Sequence, residues 1–202
     1  MLDKSARQIW ECRRKYDLKF EQLRTPLTQY RPDGLGVIPY GLDNGAYSLF
    51  QPVKWARMAS DSSNDPLCKW IVLPDVVGDA EKTTELFWEY YDAGHQNKLA
   101  YVIQNGITDD MMMDIWPKIN CVFVGGDDAF KDGEDAWRLC QLAAQKDKAV
   151  HVGRVNGPAR LARWFDYADS IDGSGLSKYT HSLERLVRVI KSYENTVQHR
   201  LF

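Results

Sequence analysis

The stretch PYGLDNGAYSLF, residues 39–50, decides between two folds. Asn44-Gly45 is among the strongest short signals for a β-hairpin, because both residues tolerate the positive φ that type I′ turns need. Asp43, however, directly follows a short apolar run, and parallel α/β folds place catalytic groups at such positions. No antiparallel partner strand follows, because SLFQPVKWARMA is helix-like after Pro52. The sequence therefore predicts a strand–loop–helix unit rather than a hairpin.

Short apolar runs alternate with helical segments along the rest of the chain, which indicates a parallel sheet. The pattern favours a compact (β/α)8 TIM-type barrel near its minimum length, with an irregular N-terminal part. A doubly wound open sheet is the alternative, and the strand count alone does not separate the two. Strands are predicted at 35–42, 69–75, 99–106, 121–126, 149–155 and 169–175, with 20–28 as a seventh candidate. Helices are predicted at 80–94, closed by Gly94, and at 133–146, 156–168 and 181–197.

Composition is that of an ordinary globular domain, and we expect residues 1–202 to form one domain. The net charge of −2 provides no overall basic field for nucleic acid, so such contacts need a local patch. No run reaches the length of a membrane span, and the first residues contain no apolar signal-peptide core, so we expect a cytoplasmic protein. The four cysteines are scattered without a C-x-x-C pair, so we expect no structural zinc.

Polar or glycine residues follow each predicted strand, at the edge where the βα loops of parallel folds converge. Any one of them is more simply explained as a loop residue or a helix cap. Three carboxylates and an amide that each follow an apolar strand favour a shared site instead. The candidates are Asp43, Asp75, Gln104, Gly125, Gly126, Arg154 and Asp172.

This set of side chains suits displacement at a sugar carbon. One carboxylate attacks the anomeric carbon, and a second moves a proton to and from the leaving group. A third carboxylate and an amide suit a guanine-like base: the carboxylate accepts from N1–H and the exocyclic amine, and the amide donates to O6. The paired glycines, Gly125 and Gly126, have no side chains, so a flat base can approach their N–H groups.

Read in order, these segments resemble the tRNA-guanine transglycosylase superfamily, and most closely its DpdA-type DNA-guanine transglycosylases of phages and bacteria. LDNGAYS is similar to the family's D-S/T-G-G-F/Y segment, VIQNG to its V-Q-G-G segment and FVGGDDAF to its G-G-L-x-V-G stretch. LPDVVGD resembles the segment with the base-recognising Asp. HVGRVNGPARLARWFDYADSIDG resembles the run to the nucleophilic Asp, with a D-x-x-D spacing at Asp169 and Asp172. The resemblance covers roughly residues 20 to 190.

The resemblance implies a role for each matched residue. Asp172 is the nucleophile and Asp43 the general acid/base. Asp75, Gln104 and the backbone at Gly125 and Gly126 hold the base, and Arg154 contacts a phosphate or sugar or forms a structural salt bridge. Within the D-x-x-D pair, Asp169 is expected to support the site or an adjoining helix. His151, inside an apolar strand, is expected to be a core histidine.

The sequence departs from the family pattern at two points, and the first of them bears on the polymer that is modified. No cysteine follows Cys140, so the Cys/His zinc site with which the tRNA enzymes grip tRNA has no counterpart, which favours DNA. Asn105 stands where the family usually has Gly. The implied reaction exchanges guanine in DNA for a 7-deazaguanine base such as a preQ0-type precursor, without a cofactor.

Alternatives remain at this point. One is a noncatalytic nucleic-acid-binding subunit, and another is a nucleoside or glycoside hydrolase in which water replaces the incoming base. A homodimer or a partner protein is compatible with each. A basic row on the last predicted helix is usually a solvated surface, but as a hypothesis it contacts DNA phosphates; its members are Lys178, Arg185, Arg188 and Lys191.

Overall fold

A curled, all-parallel sheet of seven strands forms a half-barrel flanked by helices. The computed structural model describes residues 1–28, 38–91 and 98–200, with side chains up to residue 194. The strands pair in chain order from first to last, without the reversal that defines a doubly wound sheet. They are β1 (Gln22–Arg24), β2 (Tyr40–Leu42), β3 (Cys68–Val72), β4 (Leu99–Ile103), β5 (Cys121–Val124), β6 (Ala149–Val152) and β7 (Ser170–Ile171).

Each strand predicted from the sequence is present, including the seventh candidate at 20–28, which contains β1. Residues 35–37 of the first predicted strand lie outside the described residues, as does Gly94. β2 and β3 are parallel, so the hairpin interpretation of Asn44-Gly45 is excluded.

The prediction of a closed barrel with eight strands is wrong, because the described residues form a sheet of seven strands that makes a half-barrel. The start of the chain lies between the two edge strands. Leu2 forms an isolated parallel bridge with Gln22 of β1, and the Met1 amine donates to the carbonyl of Ile171 in β7. A single bridge does not make a ladder of strand hydrogen bonds, so these contacts do not add an eighth strand.

The first helix precedes the first strand, and the later helices connect successive strands or close the chain, as the alternating pattern predicts. They are α1 (Ala6–Tyr16), α2 (Pro52–Ser63), α3 (Ala80–Tyr91), α4 (Asp109–Ile115), α5 (Asp128–Lys131), α6 (Glu134–Gln145), α7 (Pro158–Trp164), α8 (Ser174–Lys178) and α9 (Thr180–Arg200), with a 3-10 turn at Trp116–Lys118. Among the helices of the described ranges, none combines the length and apolar character needed to cross a membrane.

The two faces of the sheet pack into separate cores, because successive side chains of a strand point to opposite faces. The outer core lies between the sheet and the helices and holds most of the buried aliphatic side chains. The inner core fills the concave side of the half-barrel. Its buried members are Leu23, Trp70, Val72, Ala100, Val102 and Cys121, with Phe123 packed against them.

Trp70 fills the inner core because Gly41 on the neighbouring strand has no side chain. A Cβ at Gly41 would lie 2.2 Å from Cζ2 of the Trp70 ring, far inside van der Waals contact. The ring in turn packs edge-on against Phe123, with ring centroids 5.8 Å apart, and lies 4.7 Å from the ring of His151. This stack forms the floor beneath the carboxyl edge of the sheet.

We expect Gly41→Ala to lower the free energy of unfolding by about 1–3 kcal/mol, the usual cost of overpacking a core. The smaller ring of a Trp70→Phe background should relieve the clash, so the cost of Gly41→Ala should fall there. Urea denaturation of the wild type, both single variants and the double variant measures this coupling. An equal cost of Gly41→Ala in both backgrounds would show that the Trp70 ring is not the constraint.

Candidate active site

Strand alternation brings the predicted site residues to one edge of the half-barrel. On the concave face, the position two residues beyond each inward-facing strand residue is again inward-facing. At the carboxyl end of the strands these inward-facing positions hold an Asp, a Gln or a Gly. They are Asp43 after Gly41, Gln104 after Val102, Gly125 after Phe123, Gly153 after His151 and Asp172 after Ser170.

A cavity of about 350 Å³ opens at this edge, within the size range of small-molecule sites. The Val102 and Phe123 side chains form part of its apolar wall. All of the residues predicted to be catalytic or to bind the substrate line this one cavity. They are Asp43, Asp75, Gln104, Gly125, Gly126, Arg154 and Asp172.

Asp172 is held in place through both of its carboxylate oxygens. Oδ2 lies 2.9 Å from Nε2 of His151, and Oδ1 accepts from the backbone N–H of Arg154 at 3.2 Å. Burial alone would raise the pKa of Asp172, but the hydrogen bond from His151, the positive charge of the N-terminal amine and the hydrogen bond from the Arg154 N–H hold it below its ordinary value. Asp172 is therefore a buried carboxylate that remains ionised.

His151 supports that carboxylate from within the inner core. Its side chain is fully buried, and burial lowers the pKa of the imidazole despite the nearby Asp172 charge. A neutral ring donates from Nε2 to Asp172 and accepts at Nδ1 from the Ser170 hydroxyl, 2.8 Å away. His151 is thus a core histidine, as expected, and also the side chain that orients Asp172.

The backbone of Arg154 is strained, and its N–H donates to the same Asp172 carboxylate. Its φ is 62°, the left-handed region that non-glycine residues rarely adopt. In this conformation the Arg154 N–H reaches Asp172, and the guanidinium lies 4.2 Å from the centroid of the Tyr47 ring. Such strain recurs at functional sites, where the surrounding structure fixes it.

Asp43 differs from Asp172 in its protonation. Burial, followed by the negative charge of Asp172, raises the pKa of Asp43 to about 7, and the Asp75 charge adds to the effect. The N–H of Gly45 donates to Asp43 Oδ1 at 3.1 Å, which fixes the loop; Gly45 itself has a φ of 76°. Asp43 therefore keeps its proton to a higher pH than Asp172 does. Such a difference between two carboxyl groups of one cavity suits one of them to act as an acid and the other as a nucleophile.

Asp75 is positioned by two amides. Asn44 Nδ2 donates to Oδ1 at 2.7 Å, and Gln104 Nε2 donates to Oδ2 at 2.6 Å. Burial nevertheless raises the pKa of Asp75 above its ordinary value, because the two hydrogen bonds only partly offset it. Each oxygen retains a second lone pair, so the carboxylate can still accept from a ligand.

Gln104 is arranged differently from the expectation that it donates to a base. Its side chain is fully buried, and its amide hydrogens reach Asp75 and, at 3.0 Å, Thr83 Oγ1. Its carbonyl oxygen accepts from the N–H of Gly78. With donors and acceptor engaged inside the protein, Gln104 is better placed to orient Asp75 than to contact a ligand.

The two glycines also differ from each other. The N–H of Gly125 donates to the carbonyl of Ile103 at 3.0 Å and is therefore not free for a base. The N–H of Gly126 has no acceptor in the part of the chain that the structure describes. Gly126 has a φ of 72°, and a Cβ there would lie 2.8 Å from Asn105 Oδ1, so glycine is required. Asn105, the departure from the family pattern, accepts at that oxygen from the N–H of Asp127.

The two members of the D-x-x-D pair lie at opposite ends of β7. Asp169 is exposed at the amino end, where its Oδ2 accepts from the N–H of Val150 at 2.8 Å. It does not line the cavity, so it fixes the amino edge of the sheet rather than supporting Asp172.

The residues of the predicted basic row lie in two different places. Lys178 lines the cavity and is exposed. Arg185, Arg188 and Lys191 are exposed on α9 and do not line the cavity. Their contact with DNA stays a prediction.

Among the residues that line the cavity, Tyr47 and Lys131 were missed by sequence reasoning. Tyr47 is 64% exposed and lies in the LDNGAYS motif, four residues after Asp43, which was the available signal. Lys131 has 1% exposure and gave no sequence signal, because it ends a short polar helix.

In the described ranges, no three His, Cys, Asp or Glu side chains are grouped as metal ligands, although three carboxylates share the cavity. No family model, curated protein or solved structure matches this chain. The chemistry of the cavity is therefore the basis for assigning a function.

Proposed function

We propose that this protein is a base-exchanging transglycosylase that replaces guanine in DNA with a 7-deazaguanine base through a covalent sugar–Asp172 intermediate. The observation that carries the proposal is the pair of carboxyl groups in one cavity with opposite pKa shifts. Asp172 is ionised and aimed by two hydrogen bonds, whereas Asp43 has a pKa of about 7. One is suited to attack, and the other to proton transfer.

In the first step, a carboxylate oxygen of Asp172 attacks C1′ as the bond from C1′ to guanine N9 breaks. The bonding electrons go to the base, and protonated Asp43 gives its proton to a ring nitrogen. The products are an Asp172–sugar ester, neutral guanine and an ionised Asp43. Burial still raises the pKa of Asp43, but loss of the Asp172 charge then removes the part of the rise that is due to repulsion.

In the second step, ionised Asp43 accepts the N9 proton of the incoming base as N9 attacks C1′. The ester oxygen leaves as the Asp172 carboxylate, and both side chains return to their starting protonation states. His151 keeps its hydrogen bond to Asp172 and so holds the leaving oxygen in place. No metal or redox cofactor takes part in either step.

Asp75 is the residue we assign to base recognition. Its carboxylate, oriented by Asn44 and Gln104, accepts from N1–H and the exocyclic amine of the base. The N–H of Gly126 is the matching donor for O6. Tyr47, exposed beside the cavity, offers a ring face for stacking.

We propose DNA as the polymer substrate. The protein acts on it in the cytoplasm, either alone or together with a partner protein or a second copy of the chain. A guanine within a duplex is unreachable, so the nucleotide must be flipped out or single-stranded. Lys178 at the cavity and the three basic residues of α9 are the proposed phosphate contacts.

The test is to incubate the protein with a labelled preQ0-type base and either guanine-containing DNA or tRNA. We expect label to enter DNA, together with release of one guanine for each base incorporated. Release of guanine without an added base would indicate a hydrolase. Binding of DNA with neither release nor incorporation would indicate a noncatalytic subunit, and label in tRNA would contradict the choice of polymer.

A further inference from the structure

Lys131 is a buried cation for which the described part of the chain provides no ionic partner. It is 1% exposed and lines the cavity. No hydrogen bond or ion pair of its ammonium occurs among the described residues. Buried lysines are ordinarily paired, because an isolated charge out of water is costly.

A second cation adjoins it. Arg154 also lines the cavity, and its guanidinium lies against Tyr47 without an ion pair in the described ranges. Burial and then the positive charge of Arg154 lower the pKa of Lys131 to about 8. Two neighbouring cations that repel each other leave a place for an anion.

The nearby carboxylates do not fill this place. Asp172 attracts Lys131 through its charge, but its oxygens face His151 and the Arg154 backbone. Asp128 and Asp132 are ion-paired with Arg160, at 2.8 and 3.2 Å. The anion must therefore come from a ligand.

We infer that Lys131 and the Arg154 guanidinium form an oxyanion site for a phosphate group of the nucleotide whose base occupies the cavity. An ammonium supplies up to three donors and a guanidinium a planar fork, which together suit the several oxygens of a phosphate. The site rests on the proposed function for the identity of the nucleotide, but not for the binding of phosphate. Arg154 also connects this site to the proposed nucleophile, because its backbone N–H donates to the Asp172 carboxylate.

Melting curves with inorganic phosphate test the site without any base chemistry. We expect phosphate to raise the melting temperature of the wild type but not of Lys131→Met, which keeps the length of the side chain and removes its charge. Lys54→Gln, on the exposed face of α2, loses a positive charge away from the cavity and should respond like the wild type. An equal response of Lys131→Met and wild type would overturn the inference.

Calorimetric titration then identifies the source of the phosphate. We expect the wild type to bind deoxyguanosine monophosphate, or a trinucleotide with a central guanine, at least tenfold more tightly than deoxyguanosine. Lys131→Met should lose this preference while its affinity for deoxyguanosine is unchanged. A preference confined to the trinucleotide supports a DNA phosphodiester, and one confined to the monophosphate supports a free nucleotide. Wild type that binds all three equally would contradict the site.

The phosphate preference should also weaken as pH rises through about 8, where Lys131 loses its proton. The charged groups that face Lys131 are Arg154, Arg160, Asp128 and Asp172. Arg160 stays cationic and the two carboxylates stay ionised across this range, because the pKa of Arg160 is raised and the pKa values of Asp128 and Asp172 are lowered. Asp43 lines the same cavity and has a pKa of about 7, so the change near pH 8 that is present in the wild type and absent in Lys131→Met is the one that reports Lys131. Base exchange that proceeds without any phosphate preference would reject this inference and leave the proposed function intact.

Discussion

Asp172→Asn is expected to abolish base exchange, lowering the rate by at least about 10⁴-fold, as removal of a covalent nucleophile does in hydrolases. The amide cannot form the sugar ester, so the protein–DNA adduct that survives denaturation should disappear as well. The measurements are single-turnover release of guanine and a denaturing gel of protein mixed with labelled DNA.

Folding must be separated from chemistry in this variant, because Asp172 accepts hydrogen bonds from His151 and Arg154. An Asn side chain offers one acceptor oxygen, so one of the two bonds is lost, and we expect a lower melting temperature with an unchanged fold by circular dichroism. Asp169→Asn is the matched control. It also removes a carboxylate that binds a backbone N–H of β6, but at the opposite end of β7. An adduct that persists in Asp172→Asn and vanishes in Asp169→Asn would reverse the assignment of the nucleophile.

The parallel strands and the edge that holds the site were predictable from the sequence because both follow from local periodicity, whereas the strand order, which distinguishes a barrel-like sheet from a doubly wound one, was not. Apolar runs end at Asp43, Asp75, Gln104 and Asp172, and parallel pairing brings such ends together whatever the packing beneath them. The number of strands was not predictable in this way. Whether the first residues pair along a whole strand or through the single bridge of Leu2 depends on long-range contacts.

Which site side chains remain free for a ligand was also not predictable from the sequence. Gln104 is an amide in the expected place, yet its neighbours Asp75, Thr83 and Gly78 use its donors and acceptor. His151 looked like a core residue because its strand is apolar, but the pairing of β6 with β7 places Asp172 against it. A sequence shows the polar atoms, whereas only the fold shows which of them already have partners.

Asp43→Asn is expected to slow guanine release by about 10²–10⁴-fold, the usual contribution of general acid–base catalysis. The substitution keeps the oxygen that accepts from the Gly45 N–H, so the loop should retain its shape. In the wild type, single-turnover release should fall as pH rises through about 7, because the protonated form of Asp43 is lost. This limb of the pH–rate profile should be absent in Asp43→Asn.

The stability of the same variant gives an independent readout of that pKa. Because folding raises the pKa of Asp43 above its unfolded value of about 4, the folded state binds more protons between these pH values. The raised pKa of Asp43 therefore adds to the free energy of unfolding of the wild type. This contribution is fully present below pH 4 and is lost as the pH rises towards about 7. Asp43→Asn lacks this loss, so its melting temperature relative to the wild type should increase between pH 4 and 7 and then level off. Asp61→Asn, on the exposed side of α2, should show no such trend, and a flat difference for Asp43→Asn would mean that Asp43 is ionised throughout and does not serve as the acid.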